Sequence, residues 1–352
     1  MSDDLYSYSR ILRSFVWPHA MPDPAGVRVI GVITGRDLVG DALIKLPFVR
    51  ALRAAFPGAR IHWITGSGPT AFAGALREMT RTLIDEVHEM PPWLAPGGEQ
   101  AAPAFDILID TRNRLKAALA ARRLPHRLFL ASAARHLVSD RRPSLFRPRP
   151  THLTDRLMRY VEIAAGYRPD ADGTLSVPEP LLATARRVLP DGPVYVGLAI
   201  GSSTRTRIWP RERFVALARV QEEKDRVPVF LLGPLEQDAH ASLRAEVPDA
   251  LFPLQDAAWG DERGLGETLA VGTRLHVIVV NDSGPAHMMA AVDRPVISLF
   301  GPTTPAKAAP RSRNGISLRA QTFGGDGMEA IPVEAVAEAV DRMLERTGAI
   351  RP

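Results

Sequence analysis

The stretch Val279-Val280-Asn281-Asp282-Ser283-Gly284-Pro285-Ala286-His287, followed by an Ala-rich run and then Pro295-Val296-Ile297-Ser298-Leu299-Phe300-Gly301-Pro302-Thr303, decides the fold. It reads as a buried strand, a polar turn, a helix, a second buried strand and a Gly-Pro turn carrying hydroxyls, the alternation of an α/β protein. Asp282, Ser283 and Gly284 stand where the strand ends and the helix begins. Free backbone N–H groups and the positive end of the helix dipole therefore face one crevice, a place that can hold an anion. Asp-Ser-Gly is also an ordinary N-cap turn, and these residues alone leave both readings open.

The same alternation runs outward from this stretch. Residues 194–200 predict a strand and Gly201-Ser202-Ser203-Thr204-Arg205-Thr206-Arg207 a polar loop; Trp209-Pro210-Arg211-Glu212-Arg213-Phe214 opens a helix with Pro in its first turn. Four hydroxyls and two arginines between a strand end and a helix start suit a phosphate group. Residues 227–232 predict the next strand, and Glu236 just beyond it is placed to accept hydrogen bonds from ribose hydroxyls. A helix at 265–271, a strand at 275–280 and an amphipathic helix over 332–346 complete this half.

In the first half, Val27-Arg28-Val29-Ile30-Gly31-Val32-Ile33 predicts a buried parallel-type strand. The turn after it has glycines at P-loop spacing, Gly35 and Gly40, but Asp41 and Ala42 occupy the places where Lys and Ser/Thr would reach phosphate and magnesium. Nor is it the GxGxxG of dinucleotide binders. What remains is Asp41 at a helix start on the carboxyl edge of a sheet, an N-cap carboxylate or a general base. Pro47 should kink that helix or end its first turn. Strands are expected at 60–65 and 105–110, then a basic helical region interrupted by prolines, then a helix over 154–165. Asp170-x-Asp172 has the form of a metal-diphosphate motif but follows no strand, so it reads as a loop.

A chain of 352 residues with 45% hydrophobic and 24% charged composition fits two globular domains. The absence of cysteine excludes a disulfide framework, a thiolate nucleophile and Cys-ligated zinc. The first residues lack the pattern of a secretory signal, and charge interrupts the apolar runs before a bilayer span of about 20 residues. The expected setting is the cytoplasm, with peripheral attachment to the inner membrane. From Arg112 to Arg149 there are eleven Lys or Arg and one acid, Asp140, so this segment carries about +10 of the net +5 and the remainder about −5. Such a patch suits an anionic lipid, an acidic or phosphorylated sugar, or nucleic acid, and equally a solvated face. No recognition-helix, RRM or zinc-finger signature supports nucleic acid, which leaves a polyanion-binding protein as the lesser alternative.

Three stretches together carry a resemblance. Gly40-Asp41-Ala42-Leu43 with Leu46-Pro47, Gly201-Ser202-Ser203 with Arg207-x-Trp209-Pro210-x-Glu212-x-Phe214, and Asn281-Asp282-Ser283-Gly284-Pro285-x-His287 with Leu299-Phe300-Gly301-Pro302-Thr303 resemble the bacterial heptosyltransferases of glycosyltransferase family 9. The resemblance covers roughly residues 27 to 346. It implies a GT-B fold: an acceptor-binding Rossmann-like domain (27–180), a nucleotide-sugar-binding Rossmann-like domain (190–328) across a cleft, and a C-terminal helix (332–347) packing back on the first domain; residues 1–26 read as an N-terminal appendage with no clear counterpart in the family. It also implies transfer of heptose from ADP-heptose, or a related nucleotide-sugar, to the lipopolysaccharide inner core, with inversion and without an essential metal or other cofactor. In this pattern Asp41 is the general base; Ser202, Ser203 and Arg207 hold the diphosphate, Glu236 the ribose, and Asp282, Ser283, Gly284 and His287 line the sugar and phosphate. Arg112, Arg114, Arg141 and Arg142 in the basic segment are the expected contacts for a lipid-linked or phosphorylated saccharide acceptor at an anionic membrane surface. Two departures stand out: Arg207 where the family commonly has Lys, which changes a point charge to a fork, and a longer acidic loop at 255–264.

Overall fold

β-branched runs separated by amphipathic segments form two five-stranded, all-parallel sheets, one in each half of the chain. The computed structural model describes residues 23–95, 101–142, 148–257, 259 and 264–350. Two compact units meet in the sequence at Gly173 and Thr174, ahead of the boundary expected at 180–190, because the helix Glu179–Val188 packs on the second unit's helix Leu265–Gly272. Most of the N-terminal appendage and half of the 255–264 loop lie outside the described residues.

In the first unit the strands are β1 (Val29–Thr34), β2 (Arg60–Thr65), β3 (Glu86–Glu89), β4 (Phe105–Asp110) and β5 (His126–Ala131), in the spatial order β3-β2-β1-β4-β5. β1 to β4 is therefore where the connection reverses direction, and the carboxyl ends of these two strands open a crevice. The proline expectation holds: a short helix, Val39–Leu43, stops, and a second, Leu46–Ala55, starts with Pro47 in its first turn. The basic region is not helical throughout. Residues 115–121 form a helix, but His126–Ala131 is a strand whose Leu128, Phe129, Leu130 and Ala131 are buried. The basic residues before this apolar run concealed it.

The second unit contains β6 (Tyr195–Ala199), β7 (Val227–Phe230), β8 (Val277–Asn281), β9 (Val296–Phe300) and β10 (Gly315–Arg319), ordered β10-β9-β8-β6-β7. Alternate residues of one strand feed opposite faces. Val277 and Val279 join the core under helices Arg211–Glu222 and Val333–Arg346, whereas Ile278 and Val280 join the core holding Val271, Ala286 and Met289. Both faces are covered, which is why the strands read as unbroken apolar runs. The closing helix, Val333–Arg346, packs within the second unit. Its apolar side, Val336, Val340, Met343 and Leu344, is buried in the second unit with Trp209 and Phe214, and Asp341 is ion-paired to Lys224 and Arg226 of that unit.

Candidate active site

In the second unit the chain leaves β6 toward β7 on one side and returns to β8 on the other. Ligand crevices of open α/β sheets form at the carboxyl ends of such a strand pair. Here Asn281, the fully buried last residue of β8, ties the two strand ends together. Its Nδ2 donates to the Ile200 carbonyl at 2.8 Å, and its Oδ1 accepts the Trp209 backbone N–H at 2.9 Å. The Trp209 indole in turn donates to the Ile331 carbonyl at 2.9 Å. One amide thus fixes both ends of the 201–208 loop.

The next residue links a third segment. Asp282 Oδ2 accepts from the Thr303 hydroxyl at 2.7 Å and lies 3.4 Å from Arg207 Nη1. The turns at 201–207, 281–284 and 301–303 therefore meet at one carboxylate. Ser283 precedes the helix Gly284–Ala291, but its hydroxyl bonds the Asn281 carbonyl at 3.3 Å and makes no cap bond. The helix begins without a side-chain cap on its first-turn donors, beside Arg207, an arrangement that suits an anion.

Glu236 stands behind the loop. Its Oε2 accepts the Gly233 N–H at 3.1 Å, and burial, only partly offset by that N–H, raises its carboxyl above the ordinary range. A Cβ placed on Gly201 would fall on the Glu236 carboxylate, so a side chain there would displace that carboxylate from the loop.

Of the residues expected to bind the donor, Arg207 and Asp282 are in contact, Ser283 and Gly284 adjoin them, and Glu236 meets the loop at Gly201. Ser202 Oγ accepts the Thr204 N–H at 3.4 Å inside the loop. Ser203 is exposed on it, and His287 is half-buried within the helix Gly284–Ala291. Asn281 and Thr303 carry the construction, yet sequence reading gave them no role. The cue for Asn281 was available, since a polar residue ending an apolar strand must find partners when buried.

In the first unit Asp41 is exposed in the short helix after β1. The segment presenting it is held by Asp37, 1% exposed, which accepts from Thr34 Oγ1 at 3.1 Å and Trp63 Nε1 at 3.0 Å and is ion-paired to Lys45. Residues 34–45 are thus pinned on both sides of Asp41 by one buried carboxylate. Neither Asp37 nor Lys45 stands out in the sequence, because their pairing depends on how the turn folds back.

The expected acceptor contacts divide. Arg112 forms a two-point pair with Asp110, 2.9 Å and 2.8 Å, and donates to the Ala117 carbonyl at 3.0 Å. Arg141 is 2% exposed. Both arginines are engaged in the fold of the first unit. Arg114 is exposed, and exposed Arg142 donates to the Leu137 carbonyl at 3.2 Å. More of the segment's charge is met by Asp106 and Asp140, paired with Arg127 and Arg122.

A pocket missed by sequence reading lies beyond β4 and β5. Thr111, Ser132, His136, Arg149, Arg156, Arg159 and Tyr160 line it. Burial, then the charges of Arg149 and Arg159, hold the His136 imidazole below its usual range, and burial pushes the Tyr160 phenol up to about 12. Three guanidinium groups around hydroxyls suit an acidic or phosphorylated ligand. The pocket's helix, Leu153–Ala165, is tied to the Asp41 segment by Thr154 Oγ1, which donates to the Ile44 carbonyl at 3.1 Å. Arg156 and Arg159 escaped notice because the apolar side of that helix dominated its reading.

Residues 100–325 match the model of glycosyltransferase family 9 (heptosyltransferase). The chain is 23% identical over 342 residues to lipopolysaccharide heptosyltransferase 1 of Escherichia coli, covering 91% of this chain and 99% of that one. Among solved structures it is similar to a family 9 glycosyl transferase from Veillonella parvula (TM-score 0.72, 21% identity, 93% of this chain and 100% of that one). It is also similar to an E. coli heptosyltransferase solved with ADP-2-deoxy-2-fluoro heptose (TM-score 0.66, 18% identity, 89% and 99%). These likenesses, with the two parallel sheets, establish the GT-B fold.

Proposed function

From the premise that this chain belongs to glycosyltransferase family 9 (heptosyltransferase), we propose that it transfers heptose from ADP-heptose to an acidic, lipid-linked core saccharide of lipopolysaccharide, with inversion and without a metal in the transfer step. The observation that carries this reading is the junction at Asp282, where three loop ends meet Arg207 and an uncapped helix start at the carboxyl edge of β6 and β8.

Asp41 takes the proton from the acceptor hydroxyl, whose oxygen attacks the anomeric carbon while the bond from that carbon to the diphosphate oxygen breaks. Attack opposite the leaving group inverts the configuration. Negative charge grows on the departing ADP, where Arg207 and the Gly284 N–H stabilise it; one such donor is worth on the order of 3 kcal/mol. Glu236 accepts from the ribose hydroxyls. The pocket of Arg149, Arg156 and Arg159 receives an acidic group of the acceptor, taking over the part first given to Arg112 and Arg141, and Arg114 and Arg142 face an anionic membrane surface.

The test is turnover of ADP-heptose with a Kdo-bearing lipid acceptor, followed by ADP release and by the mass of the product. Asp41→Asn is expected to lose at least about a hundredfold in kcat while binding ADP-heptose as the parent does. Near-normal turnover in that variant removes Asp41 from its role. NMR of the product should show the anomeric configuration opposite to the donor's, and EDTA should leave turnover intact.

A further inference from the structure

β2 and β3 run parallel with His62 in register with Glu86 and Ile64 with His88. Residues two apart on one strand share a face, so His62, Glu86 and His88 project from the same side of the sheet at its edge. Their polar atoms converge: His62 Nδ1 lies 3.0 Å from His88 Nε2 and 3.5 Å from Glu86 Oε2, and His88 Nε2 lies 3.3 Å from the same oxygen. Around a tetrahedral zinc ion with bonds near 2.0–2.1 Å, two ligand atoms are about 3.3 Å apart. The triangle therefore has the dimensions of one face of such a site.

We propose that His62, Glu86 and His88 bind one divalent transition-metal ion, best matched by Zn2+, leaving a fourth position for water or an added ligand. Two imidazoles and a carboxylate form a donor set typical of that ion. The surroundings orient it. Arg60 holds the other Glu86 oxygen, and its own side chain is 65% exposed, so its charge is largely screened. Phe105 stands edge-on to the His62 ring at 5.9 Å and Trp93 edge-on to His88 at 5.7 Å. Gly31, in register with His62, leaves the space that Phe105 fills; a Cβ there would come within 2.8 Å of that ring. Among the described residues this is the one such cluster of three. The ion would clamp the short edge strand β3 to β2, a stabilising role independent of sugar transfer.

Metal-stripped full-length protein titrated with Zn2+ or Co2+ should bind one ion per chain with a rise in Tm, and Co2+ should show the intense visible absorption of a four-coordinate site. His88→Gln and Glu86→Gln, at half-buried positions, should each weaken binding by about a hundredfold or more, with an unchanged far-UV spectrum and unchanged affinity for ADP-heptose. A simple His–His hydrogen bond predicts instead no stoichiometric ion, or equal binding by parent and His88→Gln. Either result overturns the proposal.

Discussion

Asp41 and Asp37 sit four residues apart and do opposite things. Asp41 is exposed and chemically available; Asp37 is buried under Lys45, Thr34 and Trp63 and fixes the segment that presents Asp41. Removing one partner of a buried ion pair leaves an uncompensated charge, so Asp37→Ala should cost about 3–5 kcal/mol in urea unfolding, whereas Asp41→Asn should cost almost nothing there. Equal losses would contradict this division. Gly201→Ala tests the donor side. It pushes Glu236 from its place, and donor affinity should fall on the order of tenfold (about 1.4 kcal/mol,) by calorimetry; unchanged affinity would remove Glu236 from the site. Asp41, Arg207, Glu236 and Asp282 could be named from the sequence because each follows a strand end, where side chains of an α/β protein reach the crevice. Asp37, Thr303 and the Arg156–Arg159 pair could not, since their roles arise from segments that meet only after folding.

The loop after β6 owes its shape to Asn281. Replacing Asn281 by Ala leaves the Trp209 N–H and the Ile200 carbonyl buried without partners, at about 1–3 kcal/mol for each unsatisfied group. Asn281→Ala should therefore lower Tm and weaken donor binding together, and a variant that lost only stability would show that the loop keeps its shape unaided. At this level the strands buried on both faces were legible as apolar runs, as was the helix break at Pro47; the turn at Ser283 was legible as a helix start, but not that its hydroxyl makes no cap bond. β5 was not, because Pro125 and the surrounding basic residues concealed a buried strand of four apolar residues. The closing helix was legible as amphipathic, but its partner was not: an apolar stripe specifies burial without saying against what.

The two units share a sheet architecture and differ in what their carboxyl edges hold, Asp41 and a pocket of arginines in one, the junction of Asp282, Thr303 and Arg207 in the other. Both also hold half-buried imidazoles. Burial first, and then neighbouring arginines, hold His136 and His276 below their usual range, and His276 Nδ1 accepts the Tyr195 N–H at 3.0 Å. The unfolded chain takes up these protons near pH of about 6.5 and the folded chain does not. Below that pH the unfolded state binds more protons, so stability falls as pH drops through about 6.5 toward the lower folded values. Tm should decline between about pH 7.5 and 5.5, and less steeply in His276→Asn; an unchanged slope would show that His276 does not contribute. The described residues contain no helix long and apolar enough to cross a membrane, in keeping with the broken apolar runs of the sequence.

The most direct measurement is a thermal-shift comparison of ADP-heptose with UDP- and GDP-sugars on the parent protein and on Arg207→Ala. ADP-heptose at 100 times its Kd should stabilise the parent by about 2.7 kcal/mol, the other nucleotides should do so far less, and Arg207→Ala should lose most of the shift at the same concentration. Stabilisation by no ADP-sugar, or a shift that survives Arg207→Ala intact, would contradict the donor site at β6 and β8.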